Sequence, residues 1–336
     1  MSRTEPPPDV NIVEITVVVV TWNGIDLLPS CLDALQAQTL QRERYRIVVV
    51  DNASSDGTAA MLTAQYPEVE VLQLPRNLGF AGGCSAALAA IASPWVALVN
   101  NDAVVDPTFL DSLLAATDGA DDVAAWAARV VLHDDPSDGL SGPRLNSTGI
   151  EIQRDGNGRD RDYLAPLDTR RASEDVFGFS GSAALLRTAA VASVGGFDPA
   201  YFLYYEDADL SWRLRLGGWR IAYCHNALAT HRHAATSSIG SDLFVYHNER
   251  NRLFTLVKDA PAGLATGIML RHPVGTARRL LASDPVERHR GVVRIRAYRD
   301  VLLAMPRLVR QRRSMPWAMR RRRRAVAGLL VPAAQA

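Results

Sequence analysis

Four short apolar runs, each stopped by a polar turn, alternate with helical segments along the first hundred residues. The runs are rich in β-branched residues, which is typical of strands buried on both faces. The segments between them repeat leucine or alanine at helical spacing. This alternation predicts a parallel sheet flanked by helices, in which ligands bind outside the carboxyl ends of the strands. The predicted strands are 15–20, 46–50, 69–74 and 95–99, and the predicted helices are 27–35, 58–65 and 81–92.

The remaining sequence predicts further mixed structure. A hydrophobic content of 48% is too high for a disordered chain and is sufficient for a large core. Residues 137–158 are rich in Gly, Asp, Ser and Asn, which indicates strands joined by long loops. Further strands are predicted at 179–186 and 221–224, and helices at 188–194, 207–216, 243–257 and 292–310.

Acidic and amide side chains directly follow two of the predicted strands. Asp51 comes after the second strand, and Asn100-Asn101-Asp102 follows the fourth. Because the carboxyl ends of parallel strands share one edge of a sheet, we expect Asp51 and Asp102 to face the same crevice. A carboxylate there suits a hydrogen bond to a base or ribose, or ligation of a hard divalent cation. The alternative is that Asp and Asn simply favour turns.

Two common nucleotide-binding motifs are absent from the sequence. A dinucleotide site needs G-x-G-x-x-G after the first strand, and a phosphate loop needs G-x-x-x-x-G-K-[ST]. The glycine-rich stretch NLGFAGG at 77–83 follows the third predicted strand instead. Hydride transfer and Walker-type phosphoryl transfer are therefore poor interpretations. We expect these glycines to let the backbone approach a ligand or a neighbouring helix.

The densest acidic cluster is Glu206-Asp207-Ala208-Asp209, at the start of a predicted helix. The helix dipole favours acids at that position, so capping alone is one explanation. The other is general-base catalysis, in which an enclosed carboxylate accepts the proton of a sugar hydroxyl that attacks an anomeric carbon. Three histidines, His225, His231 and His233, follow the predicted strand 221–224. Each alone is more commonly a surface or packing residue than a metal ligand, and their position favours a site role for one of them.

Four stretches, taken together and in order, resemble a family 2 inverting glycosyltransferase of the rhamnosyltransferase-like branch. They are VVVVTWN at 17–23, VVDNASSDG at 49–57, NLGFAGG at 77–83, and GGFD at 195–198 leading to EDADL at 206–210. The resemblance covers residues 14–258. It implies a GT-A fold, which is an α/β fold with a mostly parallel, Rossmann-like central sheet. It also implies a nucleotide-sugar donor, a Mg²⁺ or Mn²⁺ ion, and a single displacement that inverts the anomeric centre.

The resemblance implies a donor-binding role for residues in the first half of the chain. Thr21 and Asn23 would line the donor pocket. Asp51 would accept a hydrogen bond from a uracil or thymine ring. Asn77 would lie near the nucleotide.

The resemblance implies metal-binding and catalytic roles for a second set. Asp102, beside Asn101 on the donor side, matches the last acid of the D-x-D-type metal motif. His231 resembles a histidine that approaches the metal or the diphosphate. Asp207 matches the general base of an E-D pair completed by Glu206. Since the metal motif has one carboxylate, we expect the donor diphosphate to supply part of the cation's ligands.

The implied function is transfer of a sugar to a hydroxyl of a glycan or polyprenyl-linked acceptor. The first expected donor is dTDP-rhamnose, which supplies rhamnose. The implied organisation is a glycosyltransferase domain at 14–258, with a nucleotide-binding half at 14–105 and an acceptor or catalytic half at 106–258. Residues 1–13 are expected to be flexible and 259–336 to form a helical, arginine-rich extension. The alternative function is a catalytically silent nucleotide-sugar-binding module at the membrane. The reduced metal motif favours this alternative, and the retained Glu206-Asp207 pair argues against it.

The charge of the chain is unevenly distributed. Residues 271–336 contain 17 arginines, no lysine and three acids, a net charge of +14, whereas residues 1–270 carry −13. The arginines, with Trp317 and the apolar segment 329–331 nearby, favour attraction to an anionic membrane surface over a solvated helix face. Nucleic acid is not the expected partner, because the acidic body would repel phosphate.

The expected location is cytoplasmic and peripheral, on the inner face of the cell membrane. The sequence has no run of eighteen apolar residues, and its start is acidic and proline-rich, which argues against a membrane span and a secretory signal. The helices after residue 243 are a candidate homodimer interface.

Overall fold

The computed structural model describes residues 13–133, 142–169, 174–231 and 240–333. The segment 1–13 predicted to be flexible therefore lies almost wholly outside the described residues, as does His233. Within the described part of the chain, none of the helices is both long and apolar enough to cross a lipid bilayer.

The first part of the fold is a parallel sheet packed between helices. Its elements are β1 (Ile15–Thr21), α1 (Leu28–Gln36), β2 (Tyr45–Asp51), α2 (Thr58–Gln65), β3 (Glu70–Gln73), α3 (Gly79–Ala90) and β4 (Trp95–Val99). The strands run parallel in the order β3-β2-β1-β4. Val17 and Val19 of β1 pack in the same cluster as α1, and Val18 and Val20 in that of α3. This two-sided burial explains the unbroken apolar sequence of β1. The strands and helices predicted for this part are confirmed.

The second part extends the same sheet with strands of both directions. Its elements are β5 (Ala103–Val105), α4 (Phe109–Ala115), β6 (Val123–Leu132), β7 (Leu145–Ser147), β8 (Ile150–Ile152), β9 (Gly158–Asp160), β10 (Ala183–Arg187), α5 (Thr188–Ser193), α6 (Glu206–Gly217) and β11 (Arg220–His231). The order continues from β4 as β10-β6-β11-β5, and β7 pairs with β6. Because β10 is antiparallel to both β4 and β6, and β11 is parallel to β6, β4 and β11 end at the same edge.

Two strands differ in extent from the sequence prediction. The strand expected at 179–186 begins only at Ala183. The residues before it make other contacts: the Ser180 and Ser182 hydroxyls lie 2.9 Å apart, and the Gly181 N–H donates to Asp207 Oδ2 at 3.0 Å. The strand expected at 221–224 continues as β11 to His231, past an irregularity in its pairing with β6 after Cys224. Polar residues at that irregularity ended the apolar pattern but not the strand.

Four helices follow the sheet. They are α7 (Asp242–Asp259), α8 (Ala262–Leu280), α9 (Pro285–Ser314) and α10 (Trp317–Ala327). Helix α9 packs on α7 and α8, and α10 packs on α6. Apolar side chains of α9 and α10, including Val301, Leu308 and Val326, share one buried cluster with Trp212 of α6. The arginine-rich region is therefore helical, as predicted, and its buried apolar side chains pack against the rest of the protein. Helices α8 and α10 lie within the extension expected to be helical, although their bounds were not predicted, and α9 is longer than the expected 292–310.

Two of the five consecutive arginines at 320–324 cap other helices. Arg322 Nη1 donates to the carbonyl of Gly217 at the end of α6 at 3.0 Å. Arg323 Nε donates to the carbonyl of Asp259 at the end of α7 at 3.2 Å, and its side chain is buried. Cations at these positions satisfy terminal carbonyls and oppose the negative end of the helix dipole. The remaining members, Arg320, Arg321 and Arg324, are exposed.

Candidate active site

A cavity of about 530 Å³ opens at the edge of the sheet where β1, β4 and β11 end and where α3 and α6 begin. Its volume falls in the range that accommodates small molecules and cofactors. The wall combines amides, carboxylates and aromatic rings. It includes Thr21, Trp22, Asn52, Asn77, Gly79, Phe80, Asn100, Asn101, Asp102, Asn146, Asp160, Phe202, Tyr204, Tyr205, Glu206, Asp207, His231, Leu243 and Asn248.

Hydrogen bonds hold the predicted donor-side residues on this wall in place. The Asn101 amide donates to Thr21 Oγ1 at 3.0 Å, which joins the ends of β4 and β1. The Asn77 side chain accepts a hydrogen bond at 2.8 Å from the N–H of Gly79, the first residue of the glycine-rich helix α3. These contacts orient amide and hydroxyl groups at the cavity before any ligand binds.

The glycine-rich stretch allows two backbone segments to meet. Gly79 has a φ of +71°, and a Cβ atom built on it would lie 2.2 Å from the carbonyl oxygen of Phe202. Glycine is therefore required at this position. The Asn52 amide donates to the Gly79 carbonyl at 3.1 Å and links this stretch to the end of β2. We expected these glycines to let the backbone approach a ligand or a helix. At Gly79 the backbone instead approaches the backbone of Phe202.

Asn23 and Asp51 do not lie on the cavity wall. The Asn23 N–H donates to Ser54 Oγ, and its side chain accepts from the Ser55 N–H, each at 2.8 Å. Asp51 is fully buried and accepts from the Ser54 N–H through Oδ1 at 2.9 Å. Among the described residues Asp51 Oδ2 has no hydrogen-bond partner. Asn23 therefore ties the loop after β1 to the loop after β2 behind the wall, while Asp51 holds its own loop and keeps Oδ2 as an acceptor.

Asp102 and His231 meet on the wall. His231 Nε2 lies 3.0 Å from Asp102 Oδ1, and His231 Nδ1 lies 2.8 Å from Asn146 Oδ1. Because Asn146 Oδ1 is an acceptor, Nδ1 carries the proton in the neutral imidazole, and the Nε2 lone pair is directed to the Asp102 side.

The pair fits part of a divalent metal site. Asp102 Oδ1 is buried and accepts no hydrogen bond from the residues that the structure describes. A carboxylate oxygen beside an imidazole nitrogen is a donor set that binds Mn²⁺ or a similar cation. No group of three or more His, Cys, Asp or Glu residues suited to a metal occurs in the described ranges. The described residues thus offer two ligands here, and a bound cation would take others from water or a phosphate.

Glu206 and Asp207 lie in the first turn of α6 at the cavity. Burial raises the pKa of Asp207, opposed by hydrogen bonds from the backbone N–H groups of Gly181 and Ala208. Burial and the neighbouring Asp207 charge raise the pKa of Glu206 well above its usual range. Two adjacent buried carboxyls resist simultaneous ionisation, so the pair favours a protonated Glu206 beside an ionised Asp207. Such an arrangement suits a carboxylate base.

Sequence reasoning missed several wall residues. Asp160, at the end of β9, has its pKa raised to about 6 by burial and by the charge of Asp207. Asn146 orients His231, and Tyr204 and Phe202 contribute aromatic surface. Asn146 comes from the Gly-, Asp-, Ser- and Asn-rich region 137–158, whose composition indicated strands joined by long loops, and Asp160 lies two residues beyond it. Neither residue lies in a stretch with a periodic signal. His225, in contrast, is exposed and contacts Tyr223 away from the cavity wall.

Comparison with known proteins supports one family. The sequence profile described as Glycosyl transferase family 2 matches residues 16–195. The N-acetylglucosaminyl-diphospho-decaprenol L-rhamnosyltransferase of Mycobacterium tuberculosis is 30% identical over 257 residues, which cover 69% of this chain and 80% of that protein.

Solved structures support the fold. A Pyrobaculum calidifontis mannosyltransferase in complex with GDP-Man and Mn²⁺ superposes with a TM-score of 0.53 at 16% identity, covering 93% of this chain and 87% of that one. Staphylococcus aureus TarS 1–349 in complex with UDP-GlcNAc gives a TM-score of 0.56 at 19% identity, covering 89% and 83%. The predicted GT-A fold is confirmed. The chain is a glycosyltransferase and belongs to Glycosyl transferase family 2.

Proposed function

We propose that the enzyme transfers a sugar from a nucleotide-diphosphate donor to a hydroxyl of a glycan or lipid-linked acceptor, with inversion of the anomeric centre. The observation that carries the proposal is one cavity whose wall holds both the buried carboxylate of Asp207 and the strand-end pair Asp102 and His231. The first expected donor is dTDP-rhamnose, because the similar M. tuberculosis protein is named as an L-rhamnosyltransferase.

The nucleotide would bind over the carboxyl ends of β1, β2 and β4. Thr21, Asn77 and Asn101 present polar groups on that part of the wall. Asp51, whose Oδ2 is a buried acceptor among the described residues, would accept a hydrogen bond from the pyrimidine ring after a small movement of the loop that follows β2. Asn23 would act by holding that loop to the loop after β1.

Asp207 would act as the general base. The acceptor hydroxyl gives its proton to the Asp207 carboxylate while its oxygen forms a bond to the anomeric carbon. The bond from that carbon to the diphosphate oxygen breaks, and the electron pair leaves with the nucleoside diphosphate. Because attack and departure occur on opposite faces, one displacement inverts the centre. A positioned base contributes about 10²–10⁴-fold to such a step.

Asp102 and His231 would hold a Mg²⁺ or Mn²⁺ ion together with the donor diphosphate. When bound, the ion would neutralise negative charge on the leaving diphosphate. Asn146 would orient the His231 ring through Nδ1, with Nε2 on the Asp102 side.

A lipid-linked acceptor would bring the enzyme to an anionic membrane surface. The outward face of α9 combines exposed apolar side chains, Ile295, Leu302 and Leu303, with exposed Arg296 and Arg310.

The three acids of 271–336 all form hydrogen bonds or ion pairs with protein groups. Asp284 caps α9, Glu287 pairs with Arg279 and Arg290, and Asp300 bonds to Tyr246 and Arg299. The start of α9 reaches the cavity rim, where His289 pairs with Asp242 at 2.8 Å beside wall residue Leu243. An apolar and basic face of this kind matches an anionic lipid interface.

The test is a transfer assay with N-acetylglucosaminyl-diphospho-decaprenol as acceptor and a panel of dTDP-, UDP- and GDP-sugars, with Mn²⁺, Mg²⁺ or chelator. We expect release of one nucleoside diphosphate, product of inverted configuration, and loss of turnover in chelator. Nucleotide binding without turnover of any donor, with or without acceptor, would instead favour a silent binding module.

A further inference from the structure

The segment that leads into the catalytic helix is strained. Phe202, Tyr204 and Tyr205 have φ angles of +65°, +67° and +67°. Bulky L-residues rarely adopt this left-handed region, and they remain in it only where the surrounding structure enforces it. All three residues line the cavity, and Tyr205 is the N-cap of α6, directly before Glu206 and Asp207. Strained backbone at a site of this kind points to a positional requirement.

One side chain of α7 binds this segment at several points. Asn251 Nδ2 lies 2.9 Å from the carbonyl oxygen of Tyr201, 2.8 Å from that of Leu203 and 2.7 Å from that of Tyr204. Its two amide hydrogens are thus shared among three acceptors. Asn251 is fully buried, so water cannot replace these hydrogen bonds.

Neighbouring groups also fix Asn251 and the segment 201–204. Arg250 Nε donates to Asn251 Oδ1 at 2.9 Å, which fixes the amide so that Nδ2 faces the strained carbonyls. Arg250 Nη2 also donates to the Tyr201 carbonyl at 2.8 Å. On the opposite side, the Phe202 carbonyl abuts Gly79 and accepts from the Ala81 N–H of α3 at 3.2 Å. The segment is therefore held between the glycine-rich donor-side helix and α7.

We propose that Asn251 is a positioning residue, which holds the segment 201–204, with its left-handed Phe202 and Tyr204, in place and so positions Asp207 against the donor. The inference rests on the proposed role of Asp207. Asn251 lies on α7 and is not on the cavity wall, so it acts through the segment and not by touching substrate. The glycine-rich stretch contacts the segment on one side and Asn251 contacts it on the other. Together they set the distance between the donor and the Asp207 carboxylate.

The test compares two equally buried changes on the same helix. Asn251→Asp keeps the size of the side chain but removes the N–H donors. Thr255→Val is the matched control, because Thr255 is buried one turn further along α7 and bonds to the Tyr201 hydroxyl at 2.9 Å, not to the strained carbonyls. The readouts are kcat, KM for donor and acceptor, nucleotide-induced thermal shift, and amide hydrogen exchange of residues 201–206.

We expect Asn251→Asp to lower kcat about 10²-fold with a donor KM within threefold, because misplacement of a catalytic group by about 1 Å costs about that much. Amide exchange of 201–206 should rise. Thr255→Val should lower thermal stability but keep kcat within threefold. Asn251→Ser, which keeps one donor, should lie between Asn251→Asp and the wild type.

Three results would overturn the proposal. The first is a folded Asn251→Asp enzyme with near-normal kcat and exchange. The second is an equal kcat loss in Thr255→Val, which would indicate a general stability effect. The third is failure of both Asn251 variants to fold. If the wild-type enzyme turns over no donor at all, the proposed function fails, and the exchange measurement still decides whether Asn251 restrains the segment.

Discussion

At the residue scale, the surroundings of Asp207 determine the pH at which the proposed base is active. Burial raises the pKa of Asp207 above its ordinary value of about 3.9. A protonated carboxyl cannot accept the acceptor's proton. We therefore predict that kcat/KM falls as the pH is lowered through this raised pKa, with an acid limb above pH ~4. A kcat/KM profile between about pH 4 and 8 would measure it, and a flat profile over that range would contradict the prediction.

Two neighbouring carboxyls serve as controls for that profile. Asp160 has a pKa of about 6, and the pKa of Glu206 is raised well above its usual range. Glu206→Gln and Asp160→Asn should lower the rate but retain an acid limb, because Asp207 remains. If either change abolishes the limb, the titrating group is the one replaced, and Asp207 is not the base.

At the element scale, the arginines of α10 differ in what they stabilise. Arg323 is buried and donates to carbonyls at the end of α7, whereas Arg324 is exposed. Hydrogen bonds to charged groups contribute about 1.5–3 kcal/mol. Arg323→Ala should therefore lower the free energy of unfolding by about 2 kcal/mol. Arg324→Ala should change it by less than about 0.5 kcal/mol. Urea unfolding of both variants checks this, and equal effects would mean that Arg323 does not cap α7.

The local hydrophobic pattern of the sequence was sufficient to predict the strands that are buried on both faces. The strands β1, β2 and β4 were predictable because helices cover both faces, so nearly every side chain had to be apolar. Strand-end polar residues were likewise predictable, since parallel strands share an edge. Of the two acids expected at that edge, Asp102 lies on the cavity wall and Asp51 does not. His231 was expected only from the family resemblance, since the strand that it ends was predicted to stop at residue 224.

Tertiary contacts decided the features that the pattern did not reveal. The segment with the left-handed aromatic residues before α6 is hydrogen-bonded by Asn251, which is some fifty residues further along the chain. The arginine row resembled one charged surface, but Arg322 and Arg323 cap α6 and α7. Asp51, which was expected to face the same crevice as Asp102, lies behind the cavity wall, where its Oδ1 accepts from the Ser54 N–H of its own loop.

At the scale of the whole molecule, we predict binding to an anionic bilayer through the outward face of α9. Each arginine near such a surface contributes about 1 kcal/mol, and exposed Leu302 and Leu303 add apolar burial. The protein should sediment with phosphatidylglycerol vesicles at low salt and less at high salt. An Arg296→Glu/Leu303→Asn/Arg310→Glu variant should lose this binding while it retains activity on a water-soluble acceptor.

The matched control reverses charge on α10, at the exposed positions Arg320, Arg321 and Arg324. This variant should bind vesicles better than the α9 variant, because α9 combines charge with apolar surface. Loss of binding only in the α10 variant would move the membrane contact to α10. Binding by neither the wild-type protein nor any variant would contradict a peripheral membrane location.

The most direct test of the central claim is the transfer rate of Asp207→Asn relative to the wild type, with the donor that the wild-type enzyme turns over. Asparagine is nearly isosteric and cannot accept the proton, so donor binding should persist while the rate falls by about 10²–10⁴-fold. A variant that keeps more than about a tenth of the wild-type rate would show that Asp207 is not the general base.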